Sequence, residues 1–301
     1  MIGIIAPPLD FIRRLCYNFH TRRCFANPAA IPQKGSFRSA KATVIDMLIL
    51  EPHEHRRKID AAVFDFDGTL STLRAGWESV MEPLMVEAIL GDRAEVTALV
   101  RAYIDESTGI QTVLQMRWLA ETVAARGGHA LDEWDYKAEY NRRLLSEVMR
   151  RRDAVLSGKT PREAYLVPGG EALLAALHER GVKLYAASGT DDADVRAEAA
   201  VLGLDRYFTR ISGAGERSTA CSKEAVLREL LDSDQSLLVV GDGKVEIALG
   251  RASGALTLGA ATDEKNGCER IAEDKLRRLK NAGAHAIVPN FSETEEILAW
   301  I

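Results

Sequence analysis

One stretch constrains this chain more than any other. Ala61-Ala62-Val63-Phe64-Asp65-Phe66-Asp67-Gly68-Thr69-Leu70 is an apolar run that ends in two carboxylates one residue apart and a Gly-Thr turn. From Ile59 to Phe64 the residues are β-branched, aromatic or small, with only Asp60 interrupting. Such a run suits a strand buried on both faces of a parallel sheet, and Gly68 punctuates it. Both carboxylates then lie at the strand's carboxyl end, where open α/β sheets bind ligands. Two positions apart on an extended backbone, Asp65 and Asp67 lean to the same side, so one can attack phosphorus while the other handles a proton. Their mutual repulsion calls for a divalent cation, and Mg²⁺ takes one or two carboxylates together with substrate phosphate. Gly68 permits positive φ, and Thr69 offers a hydroxyl and a backbone N–H to phosphate oxygens. Taken by itself, a strand followed by Asp-Gly is equally an ordinary turn.

The surrounding pattern sets the fold class. From Ser71 to about Arg162 apolar residues recur at helical spacing, as in Trp77, Val80, Met81, Leu84 and Met85, or Tyr140, Leu144, Leu145 and Val148. No strand-like alternation intervenes, which predicts an all-helical insertion. From Val167 strands and helices alternate. Strands are expected at Val182–Ala187, Phe208–Ile211, Leu237–Val240, Ala255–Gly259 and Ala286–Val288, and helices at Glu171–Arg180, Asp191–Leu202, Lys223–Leu231 and Cys268–Lys280. This alternation predicts an α/β fold, a doubly wound parallel sheet with right-handed crossovers. The expected division is a leader over 1–56, a core from 57–72 and 163–301, and a helical unit over 73–162.

Three strands end in polar residues at one rim: Asp65 with Asp67, Ser188 with Thr190, and Asp242 with Glu246 four residues on. Ser188-Gly189-Thr190 stands between a strand and a helix, where hydroxyls and helix amides can hold a phosphate or simply cap the helix. Lys223, near a helix start, opposes the helix dipole, which suits a side chain reaching phosphate oxygens better than a purely structural one.

These residues resemble the motifs of the haloacid dehalogenase-like (HAD) phosphohydrolase superfamily. Asp65-Phe66-Asp67-Gly68-Thr69-Leu70 looks like its first motif, Ser188-Gly189-Thr190 its second, Lys223 its third, and Gly241-Asp242-Gly243-Lys244-Val245-Glu246 its fourth. The resemblance runs from about residue 58 onward and is to the phosphoglycolate phosphatase-like branch, whose helical cap lies between the first two motifs. It implies a Rossmann-like core and a two-step phosphate-ester hydrolysis with Asp65 as nucleophile and Asp67 as acid and base. It also implies Mg²⁺ held by Asp65, the backbone carbonyl of Asp67, Asp242 and Glu246, and phosphate held by Thr69, Ser188, Gly189 and Lys223. A sugar phosphomutase shares these motifs, and a binding module that kept the fold without the chemistry is the reading from another class. Arg74, Trp77, Gln111 and Arg117 are the residues expected to face the substrate, a small phosphorylated sugar or glycolate-like acid.

Composition limits the partners. A net charge of −5 and 47% hydrophobic residues give no reason to propose nucleic acid or a membrane surface as partner. No apolar run approaches the roughly 20 residues of a membrane span. The four cysteines, Cys16, Cys24, Cys221 and Cys268, show no metal-like pairing, so reduced thiols in a cytoplasmic enzyme are expected. The first 46 residues carry seven basic residues against two acidic ones and several prolines, so disorder or a gene-model artefact is expected there rather than a targeting peptide. His53 and His55 flank Glu54 in this leader, where solvated residues are the simpler expectation than a zinc site.

Overall fold

The computed structural model describes residues 47–52, 58–220, 222–231 and 235–301. Among them seven strands form one sheet, β1 (Leu48–Ile49), β2 (Ala61–Phe64), β3 (Lys183–Asp191), β4 (Arg210–Ala214), β5 (Leu237–Gly241), β6 (Leu256–Ala260) and β7 (Ala286–Val288). Their order is β1-β7-β6-β5-β2-β3-β4, parallel throughout except for β1, which runs antiparallel to β7. The Asp65 strand, β2, is thus central, between β3 and β5.

The sequence of β2 explains its place. All four of its residues are buried, and alternate side chains feed two different cores. Ala62 and Phe64 join Phe66, Leu70, Leu173, Leu174 and Phe291 on one face. Ala61 and Val63 join Val226, Leu227, Leu230, Val239 and Leu249 on the other. A polar residue at any of these four positions would be buried without a partner. The helices covering the two faces are α5 (Gly170–Glu179), α6 (Asp192–Val201), α7 (Ser222–Leu231), α8 (Lys244–Ala252), α9 (Glu273–Ala282) and α10 (Thr294–Trp300).

Between β2 and β3 the chain forms four helices, α1 (Glu78–Ala88), α2 (Arg93–Ser107), α3 (Thr112–Ala125) and α4 (Glu133–Leu156). They enclose an apolar cluster of their own that includes Met81, Met85, Val100, Met116, Leu119 and Val148. Along α4 the buried residues Tyr136, Tyr140, Leu144 and Val148 recur every fourth position, an inward stripe on an otherwise polar helix. Asp92 and Asp132 cap α2 and α4 by accepting from backbone N–H groups of the first turn. The two chain crossings to the sheet lie side by side, with Val167 N donating to Leu70 O at 3.0 Å and Thr72 N to Tyr165 O at 2.9 Å. Arg151, near the end of α4, donates to the Leu73 and Ala75 carbonyls at 2.8 and 3.0 Å and ties the outgoing chain to the returning one.

The structure departs from the sequence expectations in several places. Leu48 and Ile49, expected in an unstructured leader, pair with β7, and Glu51 beside them meets Arg251 at 3.0 Å. Two residues give no periodicity to detect, so the edge strand was illegible. β4 begins at Arg210, two residues after the expected start at Phe208, and β3 continues to Asp191, past the expected end at Ala187. The helix expected from Cys268 begins at Glu273, because residues 261–272 instead form a loop that closes back on itself through a Thr262–Ile271 bridge. Residues 1–46, His53, His55 and Cys221 lie outside the described residues. Among those described, no helix is long and apolar enough to cross a membrane.

Candidate active site

The carboxyl ends of β2, β3 and β5 bring three of the sequence motifs together, and the first turn of α7 adds the fourth. Asp65 follows directly on β2, where its N–H donates to Val240 O at 2.8 Å, so strand pairing itself aims the residue. Its Oδ1 lies 3.1 Å from Lys223 Nζ, and Lys223 also donates to Glu246 Oε2 at 2.8 Å. All three side chains are buried. Burial pushes the Asp65 carboxyl well above its ordinary value; Lys223 opposes this, and Glu246, Asp242 and Asp67 add to it. Burial also works against the Lys223 ammonium, but Asp65 and Glu246 outweigh it and hold the lysine protonated.

Asp67 stands in a different setting. Its Oδ2 accepts from the hydroxyls of Thr190 at 2.8 Å and Ser188 at 3.1 Å, while Oδ1 is buried without a hydrogen-bond partner among the described residues. Arg74 Nε stands 3.8 Å from that free oxygen. The Arg74 guanidinium is itself fixed by Glu198 of α6, at 2.6 Å, and by Asp194, at 3.2 Å. Two neighbouring carboxylates thus differ in kind, one facing a lysine in a nest of acids, the other oriented by hydroxyls at Oδ2 and faced by Arg74 at Oδ1.

The residues fit a divalent cation. Asp65, Asp242 and Glu246 each place a carboxylate oxygen within 4.8 Å of the others, and all are buried. A purely oxygen donor set of this kind suits a hard cation such as Mg²⁺. Gly68 makes room for it, since at φ +76° a Cβ there would lie 2.4 Å from Asp242 Oδ2. The Asp67 carboxylate is turned away toward Ser188 and Thr190, so of the four expected metal ligands its side chain is the one outside the cluster.

Two partners of this cluster escaped the sequence. Lys275 of α9, nearly buried, reaches Asp242 Oδ2 at 2.7 Å and Glu264 Oε1 at 2.6 Å. Burial opposes the Asp242 charge, yet Lys275 holds its carboxyl below the usual range, whereas burial raises that of Glu264. No local motif marks Lys275, which lies 33 positions beyond Asp242 and meets it only because α9 packs against α8.

Above the carboxylates is a cavity of about 110 Å³ lined by Asp65, Asp67, Ser188, Thr190 and Lys223 from below and by Arg74, Trp77, Gln115, Tyr140 and Leu144 from the helical side. Gly189 also borders it and sits against Ile110 O, which a Cβ would meet at 3.4 Å. Thr69 is fully buried, with its hydroxyl 3.5 Å from Asp242. Of the four residues expected at the substrate, Arg74 and Trp77 line this cavity. Gln111 lines a neighbouring one and binds the Ala220 carbonyl. Arg117 lines neither; its guanidinium pairs with Glu133 at 3.0 Å on the helical unit.

A parallel sheet flanked by helices on both faces, with aspartates, a lysine and hydroxyls gathered at its carboxyl rim, defines an α/β enzyme built to handle an anion beside a cation. The match to a family model is specific. Residues 59–254 fit the haloacid dehalogenase-like hydrolases, and the chain belongs to that family. It is 30% identical over 199 residues to the phosphoglycolate phosphatase of Rhodospirillum rubrum, a match covering 64% of this chain and 76% of that one. Solved structures share its fold at lower identity. One is a predicted phosphatase from Clostridium acetobutylicum, 20% identical with a TM-score of 0.54, covering 81% of this chain and 99% of that one. Another is a β-phosphoglucomutase from Clostridium difficile, 15% identical with a TM-score of 0.56, covering 80% and 96%.

Proposed function

We propose that this chain is a phosphatase that hydrolyses a small phosphate monoester with Mg²⁺, through an aspartyl-phosphate on Asp65. The unequal setting of the two carboxylates carries the reading. Asp65 points into the cluster with Lys223, Asp242 and Glu246, as a nucleophile held against a phosphoryl group requires. Asp67, oriented through Oδ2, keeps Oδ1 for a proton.

In the first step a carboxylate oxygen of Asp65 bonds to phosphorus as the ester P–O bond breaks, and Asp67 gives its proton to the departing oxygen. In the second, Asp67 takes a proton from water as the water oxygen bonds to phosphorus and the bond to Asp65 breaks. Lys223 and the Thr69, Ser188 and Gly189 groups hold the phosphoryl oxygens, where one well-placed donor is worth about 10² to 10³ in rate. Asp65, Asp242, Glu246 and the Asp67 carbonyl would hold the Mg²⁺, which supplies positive charge that offsets the crowded carboxylates and the phosphoryl group.

A cavity of about 110 Å³ admits a phosphoryl group and a few further heavy atoms, which favours a leaving group of glycolate or glycerol size. The similarity to a phosphoglycolate phosphatase points the same way. The helices of 73–162 act as a lid in this reading, with the turn at Gly109 resting on the catalytic floor, where a Cβ would stand 3.5 Å from Gly243 Cα. The free Cys268 thiol is in keeping with a reducing, cytoplasmic setting.

The test is phosphate release from a panel of monoesters, including 2-phosphoglycolate, glycerol 3-phosphate and glucose 6-phosphate, with wild type and Asp65→Asn. The expected result is Mg²⁺-dependent release that the variant lacks, ranked in favour of the smaller esters. Release that survives Asp65→Asn, or metal-independent release by the wild type, overturns the mechanism. Isomerisation of a sugar phosphate without release reassigns the chain to mutase chemistry.

A further inference from the structure

The catalytic cavity, of about 110 Å³, has two sides with different chemistry. The sheet side carries Asp65, Asp67 and Lys223 and takes the phosphoryl group. Arg74 on the chain leaving β2, Gln115 of α3 and Tyr140 of α4 line the other side, where the group that leaves phosphorus must lie. Neither bond-making step at Asp65 and Asp67 uses Gln115 or Tyr140, so their presence there calls for a separate account.

Each of the three side chains is fixed in place yet keeps one polar atom that has no hydrogen-bond partner among the described residues. Gln115 is 3% exposed, and its Nε2 donates to Ser107 Oγ at 3.0 Å, which leaves Oε1, an acceptor, unpartnered. Tyr140 is 4% exposed, packed in the inward stripe of α4 with Leu144 and Val148, and its hydroxyl bonds to no other group. Burial pushes that hydroxyl above its ordinary value, so it keeps its proton and can donate. Arg74 is 8% exposed, and its Nε and Nη2 are taken by Glu198 and Asp194, which leaves Nη1. None of these atoms is sealed off from solvent. Buried polar side chains are nearly always satisfied, so atoms left unpartnered at a cavity point to a ligand that completes them. Charge narrows that ligand. The cations among the described lining residues are Arg74 and Lys223; Lys223 is committed to Asp65 and Glu246, and Arg74 already faces Glu198, Asp194 and Asp67. This surround leaves no surplus positive charge for a second anion.

Given hydrolysis at Asp65, on which this rests, we propose that the leaving group is a small uncharged polyol of the glycerol kind, one of its hydroxyls donating to Gln115 Oε1 and accepting from Tyr140 or from Arg74 Nη1. A hydroxyl both donates and accepts, so it completes the open acceptor and an open donor at once. A carboxylate only accepts; it would leave Gln115 Oε1 unmet and set a second negative charge near Asp67. An alkyl chain would bury all three atoms unsatisfied. Gln115 and Tyr140 therefore determine which ester is chosen, apart from the groups that hold its phosphate.

The experiment is steady-state phosphate release with Mg²⁺ by the full chain from glycerol 3-phosphate, 2-phosphoglycolate and n-propyl phosphate, for wild type, Gln115→Met and Tyr140→Phe. In wild type kcat/KM for glycerol 3-phosphate is expected to exceed both others by about tenfold, the worth of one good hydrogen bond. Each variant lowers it about tenfold while n-propyl phosphate turns over as before, a readout that loss of folding would not leave standing. Tyr140→Phe removes one oxygen and keeps the packing, so it decides the matter if Gln115→Met, which also gives up the Ser107 bond, does not fold. Preference of the wild type for 2-phosphoglycolate overturns the proposal. So does an equal loss on glycerol 3-phosphate and n-propyl phosphate in the variants, or no loss at all. Turnover of any ester that Asp65→Asn lacks keeps the phosphatase reading, so those outcomes strike the leaving group alone. Release from none of the three, nor from glucose 6-phosphate, strikes both.

Discussion

Lys275 shows how much a single side chain holds together at this site. Its ammonium is the only positive group the structure places directly against Asp242 and Glu264 among the described residues, and both carboxylates are largely buried. Removing one partner of a buried ion pair costs about 3–5 kcal/mol, because the remaining charge keeps its desolvation penalty. Lys275→Met is therefore expected to lower the melting temperature of the metal-free protein markedly. If Asp242 is a ligand of the proposed Mg²⁺, added Mg²⁺ should raise that temperature more in the variant than in the wild type. Equal Mg²⁺-induced shifts, measured by calorimetry, would separate Lys275 from the cation site.

Individual elements carry two further consequences. α6 presents Glu198, fully buried, to Arg74 on the chain leaving β2. Burial, with Asp67 adding and Arg74 opposing, pushes the Glu198 carboxyl up from 4.5 to about 7. Between those values the folded chain keeps a proton that the unfolded chain has lost. This contribution is full below pH 4.5 and falls away as pH rises toward 7, by at most about 3 kcal/mol. Urea unfolding at pH 5 and pH 7 should show this decline in wild type and a flatter response in Glu198→Gln; parallel slopes would exclude Glu198 as the source. The start of α5 depends on backbone geometry instead. Gly169 has φ +74°, and a Cβ there would lie 2.0 Å from Phe291 O, which is backbone and cannot swing aside. Gly169→Ala should destabilise the fold by more than the roughly 1–2 kcal/mol of left-handed strain, read from the denaturant midpoint.

At the scale of the whole molecule, the four-helix unit and the core meet through polar ties at several places. Lys137 and Asn141 of α4 both bind Asp191 at the end of β3, the latter at 3.0 Å, and Asp105 binds Arg278. If the unit serves as a lid, the double variant Lys137→Ala, Asn141→Ala should raise KM roughly fivefold, the equivalent of about 1 kcal/mol of lost seating. Steady-state kinetics check it, and an unchanged KM would mean that the Asp191 ties do not seat the lid. The sequence by itself determined the local features of this molecule. It showed the apolar runs of β2, β3 and β5, the helical periodicity of 78–156, and the polar residues that end three strands, because hydrophobic period and turn chemistry are short-range signals. Only the tertiary structure decided what joins distant residues. It paired the two-residue β1 with β7, turned Arg74 onto Glu198 and Asp67, placed Arg117 against Glu133, and brought Lys275 to Asp242. Those contacts arise from how helices pack on a twisted sheet, and a charged residue on a helix carries no local mark of which partner, tens of positions away, will neutralise it.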